Sequence, residues 1–553
     1  MKVVYPFLIG TYILLLATSL NSCAQLLGDK ETFSKADSLR GSLTSPYRTC
    51  YDINYYHLNV KVNPKEKFIS GSNLFKFTAT TNFKELQFDL FENLAIEKVV
   101  YHKKELKFRR EFNAVFLTFN QEILKGKQDS FTVYYSGKPI VAKRAPWDGG
   151  FVFAKHDDGK DWIATACQGV GASIWWPTKD QQADEVDSML ISVSVPKEIM
   201  NVSNGRLVGK TELKDGYTRY DWKVVNPINN YNIAVNAANY AHFNDNYAGL
   251  NGNLTIDYYV LPENETKAKK QFTDVKRMLA AFEHWFGPYP FYKDGFKLVE
   301  TPHLGMEHQS AVAYGNQYKR GYLGKDLSGT GWGLKWDFII VHEAGHEWFG
   351  NNITSKDIAD MWIHEGFTCY SENLFTEYHY GKNAGAEYVR GLRKNISNDQ
   401  PIIGPYGVNK EGSGDMYYKG ANMLHTIRQL VNDDKKWRSM LIGMNKKFGK
   451  ITCTTADVVN YFNQQSGLNL TKVFNQYLKF RSIPVLEVRQ NGSNVECRWL
   501  ANVIDFDMPL QLADKNKTWI KPTKNWQVVP NIVEAKNVIV SEDFYIDLKI
   551  IEN

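Results

Sequence analysis

Within GLKWDFIIVHEAGHEWFG, two histidines, His342 and His346, stand four residues apart in a stretch whose apolar residues Ile339, Ile340, Val341, Trp348 and Phe349 predict an internal helix. On a helix that spacing puts both imidazoles on one face, aimed at one point. Polar rings inside a core are costly unless something satisfies them, and a divalent metal suits this spacing. Tetrahedral zinc needs a third hard donor while its fourth position stays open to water. Glu365 is available on the next expected helix, MWIHEGFTCYSENLFTEY, beyond the turn-rich NNITSK. An antiparallel pair of helices brings that carboxylate against the two rings, so one zinc per chain held by His342, His346 and Glu365 is expected. Glu343 directly follows the first ligand and projects beside the metal, where it can take a proton from an attacking water. Cys369, four residues after Glu365, is expected to pack, because a site with two imidazoles and a carboxylate has no need of a soft thiolate.

At 553 residues the chain exceeds what one core normally supports. Residues 30–258 read as strands: Leu58, Val60 and Val62 alternate with polar partners, as do Met189, Ile191, Val193 and Val195. Over 259–483 the period becomes helical, with Phe272, Val275, Met278, Leu279, Phe282 and Trp285 on one face and Gly287-Pro288 closing it. Residues 484–553 return to short alternating runs such as VLEV and VECRWL. The expectation is a multidomain α+β protein: a β-rich domain, a mostly helical domain carrying the metal, and a small β module.

The amino end is expected to be processed. Lys2 precedes an apolar run from Phe7 to Leu20, and small residues follow, so residues 1–24 read as a signal peptide. Leu20-Asn21-Ser22-Cys23 resembles a bacterial lipobox, which would acylate Cys23 and anchor the protein to a membrane. A cut after Ala24 would instead release it. Export is the expectation, to the periplasm or to a membrane surface through Cys23, or alternatively to the medium. The net charge of +6 is small for the length and no basic run forms a phosphate-tracking stripe, so nucleic acid is not an expected partner. Cys50, Cys167, Cys369, Cys453 and Cys497 contain no C-x-x-C pair, so neither a disulfide framework nor a cysteine zinc knuckle is demanded.

The run VHEAGHEWFGNNIT, followed by DMWIHEGFTCYSE with eighteen residues between His346 and Glu365, resembles the gluzincin aminopeptidases, the zinc family of alanyl aminopeptidase and leukotriene-A hydrolase. Leu304-Gly305-Met306-Glu307-His308 occupies the place of that family's G-x-M-E-N segment, and Tyr417-Tyr418-Lys419-Gly420 that of its Y-x-K-G. Thr165-Ala166-Cys167-Gln168, with Trp176-Pro177 and Asp180, is similar to its substrate-binding stretch. The resemblance implies a saddle-like β domain, a thermolysin-like catalytic domain and a β-sandwich-like module. It also implies hydrolysis of peptides with a free amino terminus, one residue at a time.

Carried over residue by residue, the resemblance makes Glu307 the carboxylate that binds the α-ammonium, with Gln168 assisting through its amide oxygen. Gly305 and Met306 would line the substrate, and Tyr417 would stabilise the oxyanion, Tyr418 being the neighbouring alternative. Asp360 and Glu372 are candidates for orienting the ligands. Three residues depart from the pattern: Leu304 for a Gly, and His308 and His364 each for an Asn. Two rivals stay open: a thermolysin-type zinc endopeptidase, which needs no amine-binding carboxylate, and a catalytically idle zinc-containing surface module.

Overall fold

The computed structural model describes residues 32–552, so the expected signal segment with Cys23 and Ala24 lies outside the described residues. Alternation decides the first half of the chain. In the strand Tyr51–Asn63, Leu58, Val60 and Val62 are fully buried while their neighbours reach solvent. It runs at the centre of an eight-stranded sheet, antiparallel to Phe68–Ala79 and parallel to Ser188–Pro196. The three-stranded sheet of Phe83–Asp89, Ala114–Ile123 and Phe108–Glu111 shares its core, with the Phe75 ring 5.6 Å from Phe88 and stacked 4.5 Å from Phe131. A further four-stranded sheet, Met200–Val202, Asn236–Ala238, Asp161–Ala166 and Gly150–Lys155, delivers Gln168 at the end of its third strand.

The hairpin Ala241–Gly249 and Gly252–Val260 pairs onward with Phe296–Glu300, Val312–Tyr314 and Gly305–Met306 in one five-stranded sheet. The boundary expected at 258 therefore falls inside a strand that belongs to the helical unit's sheet. That boundary marks where the side-chain period changes, whereas hydrogen bonding carries the hairpin across it. Gly305–Met306 is the outer strand, so its free edge is open to another chain.

The helices that build the site are α2 (Phe338–Gly345), α3 (Trp362–Tyr380) and α4 (Tyr418–Val431), with α1 (Thr273–Phe286) in the apolar core behind them. Asp337 caps α2 by accepting from the Ile339 and Ile340 amides. The helix is shorter than the sequence suggests, 8 residues, and His346 is its C-cap, still in the right-handed helical region. At Gly345 a Cβ would lie 2.8 Å from Ser371 Oγ, so the missing side chain lets α2 and α3 approach. A second close approach, Gly366 of α3 against Gly420 of α4, leaves 3.1 Å between a Cβ on Gly420 and the Gly366 Cα.

The C-terminal unit is a four-stranded sheet, Gln527–Val528, Asn494–Leu500, Val485–Asn491 and Asp547–Ile551, whose buried Leu486, Val488 and Trp499 continue the apolar cluster of the helices. The multidomain α+β architecture is thus a β-rich domain, a helical domain and a small β unit. Among the described residues the five cysteines are free and buried, and no helix is long and apolar enough to cross a membrane.

Candidate metal centre and peptide cleft

His342 and His346 present their Nε2 atoms to one carboxylate oxygen, Glu365 Oε2, at 3.8 and 3.3 Å. Their other nitrogens are occupied. His342 Nδ1 donates to Glu372 Oε1 at 2.7 Å, and His346 Nδ1 donates to the Phe349 carbonyl at 3.0 Å. Each acceptor fixes the tautomer that leaves an Nε2 lone pair facing the shared point. Glu365 Oε2 is buried and accepts no hydrogen bond. Bonds of about 2.0–2.2 Å around a tetrahedral ion separate its donors by roughly 3.3 Å, which matches this spacing. Two imidazoles and one carboxylate with these separations fit zinc, and α2 with its C-cap, together with α3, supplies them.

Charge favours a cation there as well. Burial opposes protonation of His346, but Glu307 and Glu365 outweigh it and push its pKa up to about 10. Burial likewise raises the Glu343 carboxyl above its ordinary range, against the pull of the two histidines. Glu307, Glu343 and His346 also place ligand-type atoms within 4.8 Å of one another, so three carboxylates face one small volume.

Glu307 follows the outer strand and stands 3.3 Å, Oε2 to Nε2, from His346. Burial and Glu365 raise its pKa. Its carboxylate is held from the β-rich domain: the Tyr231 hydroxyl donates to Oε1 at 2.6 Å and Gln168 Nε2 to Oε2 at 2.8 Å. Gln168 Nε2 also reaches Glu365 Oε1 at 3.1 Å. The expectation that Gln168 assists through its amide oxygen is therefore corrected, because two carboxylates only accept and the amide must turn its N–H groups to them.

The backbone behind Glu307 is fastened by asparagines. Asn351 Nδ2 donates to the Glu307 carbonyl at 2.9 Å, Asn232 Nδ2 donates to Asn351 Oδ1 at 2.9 Å, and the Gln309 amide donates to Asn232 Oδ1 at 3.1 Å. Sequence reading missed Tyr231, Asn232 and Asn351. The only local signal is an asparagine-rich stretch, NPINNYNIAVN, which reads as a solvated loop, whereas Asn230, Tyr231 and Asn232 form one buried turn.

The other expected residues divide. A Cβ at Gly305 would lie 2.7 Å from Glu343 Oε1, so glycine there leaves room for that carboxylate, and Met306 lines the cleft beside it. Tyr417 precedes α4, lies close enough to Glu365 for that carboxylate to help raise its phenol pKa, and stacks 6.2 Å from the His342 ring. Tyr418 faces the Cys369, Glu372 and Tyr322 side instead. Glu372 orients His342, but Asp360 does not touch a ligand: it accepts from the Tyr406 and Thr455 hydroxyls. Its place in the sequence put it near α3, but its oxygens turn outward to the neighbouring loop and helix.

Asp180 sits behind the site, accepting from the Ala172 and Ser173 amides and so holding the turn after Gln168. His364 accepts from the Ser355 amide at 2.8 Å, and His308 is buried without a hydrogen-bond partner; burial pushes both rings down to about 3. Both departures from the family pattern are thus neutral rings outside the ligand set.

His342, His346, Glu365, Glu343, Glu307, Gln168 and Tyr417 line one cavity of about 790 Å³. Its lining takes Gln168, Val170 and Trp147 from the β-rich domain and Tyr322, Phe338 and Tyr418 from the helical domain.

Comparison with known proteins matches residues 52–231 to the peptidase M1 N-terminal domain and residues 271–477 to the peptidase family M1 domain. The leucyl aminopeptidase of Saccharolobus solfataricus is 22% identical over 463 residues, covering 79% of this chain and 55% of its own length. Endoplasmic reticulum aminopeptidase 1 of Mus musculus is 21% identical over 394 residues, covering 69% of this chain and 40% of its own. The chain spans about half the length of the curated relatives it matches, 54% for the probable aminopeptidase 1 of S. solfataricus. A mutant M1 zinc metallopeptidase of Deinococcus radiodurans, bound to the substrate Tyr-Ser-Ala, has the same fold, with a TM-score of 0.65 at 19% identity over 78% of this chain and 95% of that one.

Proposed function

The chain belongs to peptidase family M1, and on that premise we propose that it is a zinc aminopeptidase, removing single residues from peptides with a free amino terminus. The observation that carries this reading is the buried Glu307 carboxylate in the cleft lining, 3.3 Å from a ligand imidazole. A carboxylate at a set distance from the metal site pairs with an ammonium and counts one residue to the scissile bond. A thermolysin-type endopeptidase has no use for such a stop, and an idle module has no use for Glu343 beside it.

Zinc held by His342, His346 and Glu365 would supply a Lewis acid that polarises the scissile carbonyl and acidifies the attacking water. The chain's own groups do the rest. Glu343 accepts the water proton and returns it to the leaving amine, which its raised pKa favours. Tyr417, whose hydroxyl burial and Glu365 keep protonated, donates to the carbonyl oxygen as charge develops there. Glu372 holds the His342 ring in place, and the free edge of Gly305–Met306 pairs with the peptide backbone.

Export is proposed with it, on the apolar run after Lys2, and Cys23 is the candidate lipid anchor. Mass spectrometry of the mature amino terminus separates an acylated Cys23 from a cut after Ala24. The enzymatic test is cleavage of one peptide with its amino group free and acetylated. Turnover of the free form alone supports the aminopeptidase; equal turnover of both sinks it in favour of the endopeptidase.

A further inference from the structure

Zinc and Glu307 together fix where the first residue of a peptide lies, and this inference rests on that reading of the site. The α-ammonium meets Glu307, which Gln168 holds, and the scissile carbonyl meets the ligand cluster, so the first side chain leaves the cleft floor between them. Phe338 stacks 5.1 Å from His342, so it borders the ligands and not Glu307. Beside Glu307 is the Gln168–Val170 turn of the β-rich domain, whose Val170 amide donates to the Gln168 carbonyl at 2.8 Å.

Directly on that turn sits the loop carrying Trp147. A Cβ at Gly149 would lie 2.6 Å from Val170 Cγ2, so the loop packs against Val170 with no spare room. Asp148 Oδ2 accepts from the Lys143 and Arg144 amides at 2.7 and 2.8 Å, and the Trp147 amide donates to the Arg144 carbonyl at 3.0 Å. Yet the indole on this braced loop is 66% exposed, whereas the other tryptophans among the described residues are buried or half-buried. A large apolar ring held out at the mouth of a cavity, with its backbone pinned, offers a preformed face to a guest.

We infer that Trp147 covers the side chain of the peptide's first residue and selects apolar, above all aromatic, amino-terminal residues. A cationic side chain also suits an indole face. Here Lys143 and Arg144, exposed on the same loop beside the ring, oppose it. An alanine at the first position is too short to reach the ring, so the indole acts on large first residues and not on small ones.

The test compares Ala, Leu, Phe and Arg 4-nitroanilides on the wild-type protein and on Trp147→Ala and Trp147→Phe. For Trp147→Ala the Phe/Ala and Leu/Ala ratios of kcat/KM fall roughly tenfold, mainly through KM, and Trp147→Phe keeps most of both. An unchanged Phe/Ala ratio in Trp147→Ala overturns the inference, and so does an Arg/Ala ratio that falls as far as Phe/Ala. Because these are ratios within one variant, partial loss of folded protein does not mimic them. A wild-type protein inert toward all four compounds sinks the aminopeptidase reading and the inference with it, whereas an active wild type with unchanged ratios sinks the inference alone.

Discussion

The Tyr231 hydroxyl donates a 2.6 Å hydrogen bond to Glu307 Oε1, from a buried turn of the β-rich domain to the outer strand's loop in the helical domain. Neither residue alone makes the amine site proposed above. Glu307 supplies the charge, and Tyr231 and Gln168 each hold one of its oxygens, so the anionic end of the cleft exists only where the two domains meet.

Removing that hydroxyl frees the carboxylate. A hydrogen bond to a charged group contributes about 1.5–3 kcal/mol, and about 1.4 kcal/mol is a factor of ten. Tyr231→Phe is therefore expected to raise KM for free-amine peptides tenfold or more, with a smaller change in kcat. Steady-state kinetics on a dipeptide series checks it, and a loss confined to kcat would count against Tyr231 as the residue that positions Glu307.

Glu372 acts on the metal through His342, whose Nδ1 it holds at 2.7 Å. Loss of such a partner typically weakens metal affinity 10–100-fold. Glu372→Ala should show that loss in competition against a zinc-sensing dye. Stripping the wild type with a chelator should abolish activity and lower its unfolding temperature, since binding to the folded state alone stabilises it by mass action. Full zinc affinity in Glu372→Ala would contradict the role.

Gly305 borders Glu343, with room for a Cβ only 2.7 Å from its carboxylate oxygen. Gly305→Ala is expected to displace the proton acceptor without touching a ligand. The prediction is a fall in kcat on the order of 10²-fold, the lower end of what general-base loss costs, with zinc still at one per chain by elemental analysis. Loss of zinc in this variant would show that the substitution disturbs α2 itself.

Gly420 meets Gly366 where α4 crosses α3, and the added Cβ would stand 3.1 Å from the Gly366 Cα. The neighbour is helix backbone, which gives little, so overpacking of about 1–3 kcal/mol outweighs the roughly 1 kcal/mol that alanine gains over glycine inside a helix. Gly420→Ala should lower the unfolding temperature. It should also slow turnover, because the same wedge carries Tyr417 away from Glu365. A destabilised variant with unaltered kcat would separate the helix contact from catalysis.

What could be read from the sequence was local. The four-residue spacing of His342 and His346 has one meaning on a helix, the adjacent Glu343 follows from it, and Glu365 lies on the next helix of a short helix–turn–helix path. The alternation of Leu58, Val60 and Val62 likewise marks a half-buried strand wherever it occurs. Tertiary structure alone decided that Glu307 is gripped by Tyr231, that Gln168 turns its nitrogen to two carboxylates, that Asp360 looks away from the ligands, and that Trp147 lines the same cavity as the ligands. Periodicity reports only which face of an element is apolar. A hydrogen bond between residues 76 positions apart, as for Tyr231 and Glu307, depends on how whole domains dock.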